Sequence, residues 1–280
     1  MQSSKGGGMD RVNRLAVTLV ASLIGLFVVA PMFVVVPMSF SSAQSFEFPP
    51  PGYWVGYYEK FFETPGWLIP VGNSIFIGSV SAFLTMLLVV PAAFALVRRQ
   101  FRGKNIVRLA VMLPLMVPSI VMALGYFEFF GIIGLNQTYA AVVLAHTCIS
   151  IPIAFLVVAA TLKGFDRNLE RAAISLGANP LQTFALITLP VLRPGFLVAL
   201  LFAFVHSFDE SVIALFISGR DVATLPRKMF DSITVDADPV IAVVSTLLIG
   251  VVLIGALIGH YREIAALFSS GRKSGLAHAR

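Results

Sequence analysis

Long stretches without a charged residue constrain this chain more than any other feature of its sequence. Charges are absent from residues 15–36 and again from residues 64–97. Each stretch is long enough to cross the hydrocarbon core of a bilayer, which takes a helix of about 20 residues. Only 12% of the 280 residues are charged and 58% are hydrophobic, whereas soluble domains carry about 25% charged residues. The sequence therefore predicts an all-α protein embedded in a lipid bilayer.

Six apolar stretches predict six transmembrane helices within one domain of residues 1–280. The predicted spans cover residues 15–36, 70–97, 109–130, 138–162, 191–217 and 239–261. The first stretch is longer than the apolar core of a typical signal peptide, and no clean small-residue cleavage site follows it. We therefore count it as a span.

The basic residues predict the orientation of these spans. With six spans, the two chain ends, the connection after the second span and the connection 163–190 share one side of the membrane, and they contain most of the 20 Lys and Arg residues. Basic residues are enriched on the cytoplasmic side. Both termini are therefore predicted to be cytoplasmic, in the inner (plasma) membrane of a bacterium. Because the net charge of +6 arises at the membrane edges, we expect no nucleic-acid partner.

The connection 163–190 is predicted to contain two short helices. The first has an apolar face at positions i, i+3, i+4 and i+7, formed by Leu169, Ala172, Ala173 and Leu176. Gly177 is placed to end this helix, since Gly adopts the left-handed C-terminal cap at little cost. Asn179 is placed to cap the second helix, with Pro180 at its first position and Gln182 at the capping-box position.

Small residues within this connection indicate a docking surface. Ala172, Ala173, Gly177 and Ala178 cluster where a free surface helix favours long charged side chains. Small side chains let a second surface approach the backbone closely. The alternative is an amphipathic surface loop that binds no partner.

The same connection resembles the signature loop of bacterial ABC importer permeases. That signature reads Glu-Ala-Ala, three residues, Gly, nine residues, Ile, one residue, Leu-Pro. The matching residues here are Ala172, Ala173, Gly177, Ile187, Leu189 and Pro190. Arg171 occupies the position of the family's Glu, and Glu170 precedes it. Whether this chain keeps the specific contact of the family's carboxylate therefore stays open. Residues 206–210 and 224–230 are similar to the polyamine (spermidine/putrescine) branch, and there to the second, shorter permease of the pair.

This resemblance implies a fold, a docking site and a set of partners. The fold implied is that of a type I ABC importer permease (MetI-like). The implied ATPase-docking residues are Glu170, Arg171, Ala172, Ala173, Gly177 and Ala178. The implied partners are a second permease, expected to be a different chain, two cytoplasmic ATPase subunits and an extracytoplasmic solute-binding protein.

No motif for ATP binding or catalysis occurs in the sequence. The Gly-x4-Gly-Lys-Ser/Thr phosphate loop is missing, as is a zinc-type cluster of Cys and His. We therefore expect a transport subunit that is not an enzyme and holds no cofactor, with ATP and Mg²⁺ bound by the partner ATPase.

Three carboxylates, Glu128, Asp209 and Glu210, fall within the predicted spans. Charges in hydrocarbon are costly and usually face a bundle interior or water. His206 lies one helical turn before the last two and is placed to pair with either. Two roles are open: these groups line a path for a cationic substrate, or they hold helices together.

The function predicted from these features is that of an importer permease for a small solute, with a polyamine such as putrescine or spermidine as the preferred substrate. Other amino compounds stay open as alternatives, namely an aminophosphonate, an amino acid derivative or an opine. A secondary transporter is a further alternative, although the internal repeats and broken helices common in that class are not evident.

Overall fold

The computed structural model describes the backbone of residues 6–277 and the side chains of residues 14–235, 237–259 and 261. Over that range the chain is helical, without a β-strand, and only an isolated bridge joins Ser41 to Tyr53. The α-helices are α1 (Gly6–Met38), α2 (Gly56–Glu63), α3 (Pro65–Arg98), α4 (Lys104–Met116), α5 (Ser119–Ile132), α6 (Tyr139–Lys163), α7 (Asn168–Ser175), α8 (Pro180–Thr183), α9 (Leu189–Asp209), α10 (Val212–Ile217), α11 (Leu225–Asp231) and α12 (Val240–Ala277). Two segments, Phe184–Thr188 and Ser232–Asp236, are π-helical.

The chain divides into two compact units. The first comprises the residues up to Thr64 and those from Ser232 onwards. In this unit α1 and α2 pack against α12. An ion pair of 3.1 Å joins Lys60 Nζ to Asp238 Oδ2 and links the segment of α2 to the start of α12.

The second unit, Pro65–Asp231, is built around three helices, α3, α6 and α9, that pack against one another. Small side chains are fully buried between them, namely Ala82, Ala93, Ala154, Ala199 and Ala203. Small residues allow transmembrane helices to approach closely. Ser81 Oγ donates to the Val143 carbonyl at 3.2 Å, and His146 Nδ1 shares a hydrogen bond of 2.9 Å with Ser207 Oγ. These two hydrogen bonds join α3 to α6 and α6 to α9 within the buried part of the unit.

Five helical segments of the described range are long and apolar enough to cross a membrane. They are Arg14–Met38, Pro65–Arg98, Tyr139–Lys163, Pro180–Asp209 and Val240–Gly259. A sixth crossing arises if α4 and α5 together count as one span. The cytoplasmic location predicted for the two chain ends concerns residues outside the described range and stays a prediction.

The predicted third span, 109–130, does not form one continuous helix. It divides into α4 and α5, which are bent by 103°. The break lies at Val117, whose backbone is extended (φ −95°, ψ 128°), immediately before Pro118. A residue that precedes proline is driven out of the α-helical region by a clash with the proline ring. The apolar stretch therefore folds as two short helices.

The predicted fifth span, 191–217, also differs from the structure. Helix α9 ends at Asp209, because Glu210 adopts an extended backbone (φ −72°, ψ 111°), and α10 begins only at Val212. At its other end the helical path starts earlier than predicted, at Pro180. The helix of this span therefore begins and ends earlier in the chain than predicted, and it includes the last part of the connection 163–190.

A buried asparagine holds the segment between α10 and α11. Asn73 Nδ2 donates to the carbonyls of Asp221 and Ala223, both at 3.0 Å, and its Oδ1 accepts from Tyr139 at 2.7 Å. Close by, Gly219 lies against Gln137, where a Cβ at position 219 would come within 2.8 Å of the Gln137 Cβ. The segment is therefore fixed to α3 and to the start of α6.

Candidate functional site

The connection between α6 and α9 forms the two short helices that the sequence predicts. Helix α7 ends in a Schellman motif, in which Gly177 N donates to the Ile174 carbonyl at 2.9 Å and Ala178 N donates to the Ala173 carbonyl at 3.0 Å. Gly177 has a positive φ of 92°. The left-handed cap predicted at Gly177 is therefore confirmed.

The start of α8 is also as predicted. Gln182 N donates to Asn179 Oδ1 at 2.9 Å, and Asn179 N donates to Gln182 Oε1 at 3.0 Å, which completes a capping box. Pro180 occupies the first turn. Helix α8 then continues through the π-helical segment Phe184–Thr188 into α9, so the second loop helix is the beginning of a long transmembrane helix.

An open apolar groove of about 380 Å³ lies between α7 and this continuation. Its walls are formed by Leu169, Ala172, Ala173, Leu176, Ala178, Gln182, Thr183, Leu186 and Ile187. Two of these side chains are largely exposed, Leu176 at 89% and Leu186 at 71%. We call this surface the loop groove. Exposed apolar concavities of this kind mark interaction sites.

Of the residues predicted to dock an ATPase, all except Glu170 line the loop groove or are exposed in the structure. Ala172, Ala173 and Ala178 line the loop groove, and Gly177 forms the turn at its end. Arg171 is exposed. Open space surrounds Gly177, since a Cβ built there would meet nothing within 4 Å. These residues are therefore accessible to a partner.

Glu170, by contrast, is turned toward the rest of the unit. Both of its carboxylate oxygens accept from Arg98 Nη1, at 2.8 and 2.9 Å, and Oε1 also accepts from Thr188 Oγ1 at 2.6 Å. Burial alone raises the pKa of Glu170, but the hydrogen bonds from Thr188 and Arg98 and the nearby positive charges outweigh it and hold the pKa below its ordinary value. The carboxylate is therefore kept ionised.

Arg98 and Thr188 were not identified from the sequence as functional residues. Arg98 is 72 positions from Glu170 in the chain, and sequence reasoning assigns it only to the basic edge of the second span. No local spacing pattern connects residues this far apart.

The structure places the predicted membrane carboxylates at different sites. Glu128 is exposed on α5. Asp209 is exposed as the last residue of α9, and Glu210 follows it, half-buried, with its Oε1 accepting from Ile213 N at 3.0 Å. His206 is half-buried and, among the described ion pairs, forms none with either carboxylate. Asp209 and Glu210 thus lie where α9 ends, and Glu210 holds the first turn of α10.

Comparison with known proteins identifies relatives for nearly the whole chain. Putrescine transport system permease protein PotI of Escherichia coli (strain K12) is 31% identical over 255 residues, which cover 87% of this chain and 89% of PotI. Spermidine/putrescine transport system permease protein PotC of Haemophilus influenzae is 28% identical over 198 residues, which cover 71% of this chain and 77% of PotC.

The fold is that of a known class of transporter. A chain from the crystal structure of a bacterial ABC transporter involved in the import of the acidic polysaccharide alginate matches with a TM-score of 0.68 and 15% identity, covering 93% of this chain and 99% of that chain. This likeness confirms the all-α, type I ABC importer permease (MetI-like) fold predicted from the loop signature.

The sequence also matches a protein family over residues 87–262. The matched range contains the loop groove, the Arg98–Glu170 ion pair and the carboxylates at the end of α9. It covers more than half of the chain. The chain therefore belongs to the family of binding-protein-dependent transport system inner membrane components, the permeases of ABC importers.

Proposed function

We propose that this chain is a permease subunit of an ATP-driven importer of polyamines such as putrescine and spermidine. The substrate class is supported by the similarity to permeases of putrescine and spermidine/putrescine transport systems over most of the chain. This similarity favours a polyamine over the alternative amino compounds.

The loop groove is the observation that carries the proposal of a partner ATPase. It is concave and apolar, and it lies on a connection whose basic residues support a cytoplasmic location. An apolar surface of this kind is unfavourable in water and is stabilised when a partner covers it. In the proposed complex Arg171, Ala172, Ala173, Gly177 and Ala178 contact the ATPase.

The proposed assembly contains two permeases, this chain and a second, different one, together with two cytoplasmic ATPase subunits and an extracytoplasmic solute-binding protein. ATP and Mg²⁺ are bound by the ATPase, so this chain needs no cofactor of its own. Closure of the ATPase dimer moves α7, and the movement changes which side of the membrane the path opens to. Both termini are in the cytoplasm.

The path for the substrate is proposed to include Asp209 and Glu210, with Glu128 and His206 as further candidates. Asp209 is exposed, and its side chain forms no ion pair among those described. A free carboxylate at the end of a membrane helix attracts the ammonium groups of a polyamine. Glu210 also supports α10, so only part of its role concerns substrate.

Uptake of radiolabelled putrescine tests the proposed function. The chain is expressed together with its proposed partner subunits in a bacterial strain that lacks polyamine uptake. We expect uptake that vanadate blocks and that collapse of the proton gradient leaves unchanged, with spermidine as a competitor. Uptake that follows the proton gradient, or competition by an aminophosphonate or an amino acid derivative but not by spermidine, would contradict the proposal.

The variant Asp209→Asn tests the substrate path. It removes the charge and keeps the size, so we expect a higher KM for putrescine and unchanged copurification of the ATPase. Glu63→Gln, which neutralises an exposed carboxylate on α2, is the control. A KM equal to that of the unmodified protein would assign Asp209 a structural role.

A further inference from the structure

Three separate parts of the second unit meet at the carboxylate of Glu170. Arg98 is the last residue of α3, Glu170 lies in α7, and Thr188 is the last residue of the π-helical segment that leads into α9. The distances of 2.6 to 2.9 Å are those of strong hydrogen bonds to a charged group. We call this cluster the Glu170 brace.

Aromatic rings hold Arg98 in place. Its guanidinium carbon lies 4.7 Å from the centre of the Phe94 ring and 5.3 Å from the centre of the Phe165 ring, which are the distances of cation–π contacts. Phe94 also makes an edge-to-face contact with Phe184, the first residue of the π-helical segment, at 5.9 Å between ring centres. The Arg98 side chain therefore has little freedom to move away from Glu170.

The ion pair between Arg98 and Glu170 is largely buried. The side chains of Arg98 and Glu170 are only 16% and 17% exposed. A largely buried ion pair adds little net stability compared with a well-packed apolar pair of the same volume, because both charges lose their hydration. What such a pair does provide is a defined relative position of the groups that it joins. Here it defines the position of α7 relative to α3 and to the start of α9.

We propose that the Glu170 brace is the mechanical coupling element of this permease: it transmits the movement of α7 to α3 and α9. Helix α7 forms one wall of the loop groove, and α3 and α9 are two of the three helices at the centre of the unit. A partner that displaces α7 then displaces both helices together. This inference rests on the proposed docking of an ATPase at the loop groove.

Glu170 does not itself line the groove, although residues next to it on α7 do. Ala172 and Ala173 contribute to the groove wall, whereas Glu170 faces Arg98. One face of α7 is thus available to a partner while the other is attached to the membrane helices. Arg98, Glu170 and Thr188 are positioning residues, since none of them needs to touch solute or nucleotide.

The number of solute molecules transported per ATP hydrolysed tests the proposal. The variants are Arg98→Gln, Glu170→Gln and the combination of both, reconstituted in proteoliposomes with the copurified partners and labelled putrescine. Arg99→Gln is the matched control, because it removes the same charge from the next, exposed residue. We expect each brace variant to keep its ATPase partner and its ATP hydrolysis, while uptake per ATP falls about tenfold, within the usual range of coupling between sites.

The double variant separates coupling from simple destabilisation. If Arg98 and Glu170 act as one unit, the combined variant is impaired no more than either single variant. Uptake per ATP that stays at the level of Arg99→Gln, or losses that add up in the double variant, would overturn the brace proposal. So would a parallel loss of ATPase copurification, which indicates damage to the fold. If the unmodified chain copurifies with no ATPase, the proposed function fails instead.

Discussion

At the scale of single residues, the carboxylate of Glu170 determines the geometry of the docking connection. It accepts three hydrogen bonds from two side chains that belong to other elements. Burial without these partners would favour its neutral form, whereas the partners keep it charged. Glu170, two residues before the first alanine of the family's pair, is therefore an internal contact in this chain. Arg171, which directly precedes that pair, is exposed.

The lowered pKa of Glu170 predicts a defined pH dependence. A carboxyl whose pKa is lower in the folded than in the unfolded chain contributes stability that is fully present above the unfolded value, here 4.5, and is lost as the pH falls through the folded value. We therefore expect the difference in unfolding temperature between the unmodified protein and Glu170→Gln to be constant at neutral pH and to shrink only below pH 4.5.

Thermal unfolding in detergent at a series of pH values measures this difference. Glu63→Gln serves again as the control, and its unfolding temperature should follow that of the unmodified protein at every pH. A difference for Glu170→Gln that grows as the pH falls from 7 to 5 would contradict the prediction, because it would mean that the folded pKa is raised.

Gly177 is a second residue with a special role, because its backbone adopts a conformation that few other residues adopt. Its φ of 92° lies in the left-handed region, which costs other residues about 1–2 kcal/mol. We expect Gly177→Asp to insert normally, because space for a side chain is open, but to lose transport. The charge and bulk lie at the end of the loop groove, and a docking loss of about 1.4 kcal/mol corresponds to tenfold weaker binding.

Uptake of labelled putrescine and the amount of protein in the membrane measure the two effects of Gly177→Asp. Gly103→Asp is the matched control, since Gly103 also has a positive φ (84°) and open space around it but lies at the start of α4. Normal uptake by Gly177→Asp would exclude this part of the groove from docking.

At the scale of helices, local patterns predicted the structure well and long apolar stretches predicted it less well. The caps at Gly177 and Asn179 depend on a few neighbouring residues and were correct. The breaks at Val117 and Glu210 were not anticipated, because hydropathy averages over a window and does not detect a change in backbone direction. Proline alone is no guide, since several prolines, among them Pro70 and Pro152, lie inside continuous helices.

The attachment of the segment between α10 and α11 to α3 leads to a prediction for Asn73→Ala. The variant removes two hydrogen bonds to backbone carbonyls of Asp221 and Ala223. Loss of partners for such groups costs about 1–3 kcal/mol. We expect faster hydrogen–deuterium exchange in residues 218–225, by about tenfold for each 1.4 kcal/mol, with exchange in α6 unchanged.

The control for this measurement is Asn105→Ala, which removes an exposed amide side chain from α4. It should leave the exchange pattern as it is in the unmodified protein. If residues 218–225 exchange at the same rate in Asn73→Ala, the segment is held mainly by its other contacts, such as the hydrogen bond from Leu225 N to Ser74 Oγ.

At the scale of the whole molecule, the sequence predicted the fold class and the family, whereas the path of the substrate stays a proposal. Most large side chains on the outer faces of α3 and α9 are apolar and exposed, such as Phe83, Leu201 and Phe202. In a membrane these faces contact lipid or a second permease. Residue patterns within one chain do not distinguish these two surroundings, since both are apolar.

The predicted orientation of the chain implies which engineered cysteines react from which side of the membrane. In a Cys148→Ala background, we expect Ser175→Cys on α7 to react with a membrane-impermeant maleimide in inverted vesicles only. Ser45→Cys, between α1 and α2, should react in cells with a permeabilised outer membrane. Both serines are exposed, so access depends on the side of the membrane. The reverse labelling pattern would place the loop groove outside and contradict ATPase docking there.

The π-helical segment Phe184–Thr188 restricts how this chain can evolve. A π-helical turn contains more residues than an α-helical one, so the segment behaves as a residue inserted into the path from α8 to α9. Loss of one residue would restore α-helical spacing and rotate the preceding loop by about 100° relative to α9. Glu170 would then no longer meet Thr188. Selection should therefore act against length changes in residues 178–188, while substitutions at exposed positions such as Leu181 accumulate freely.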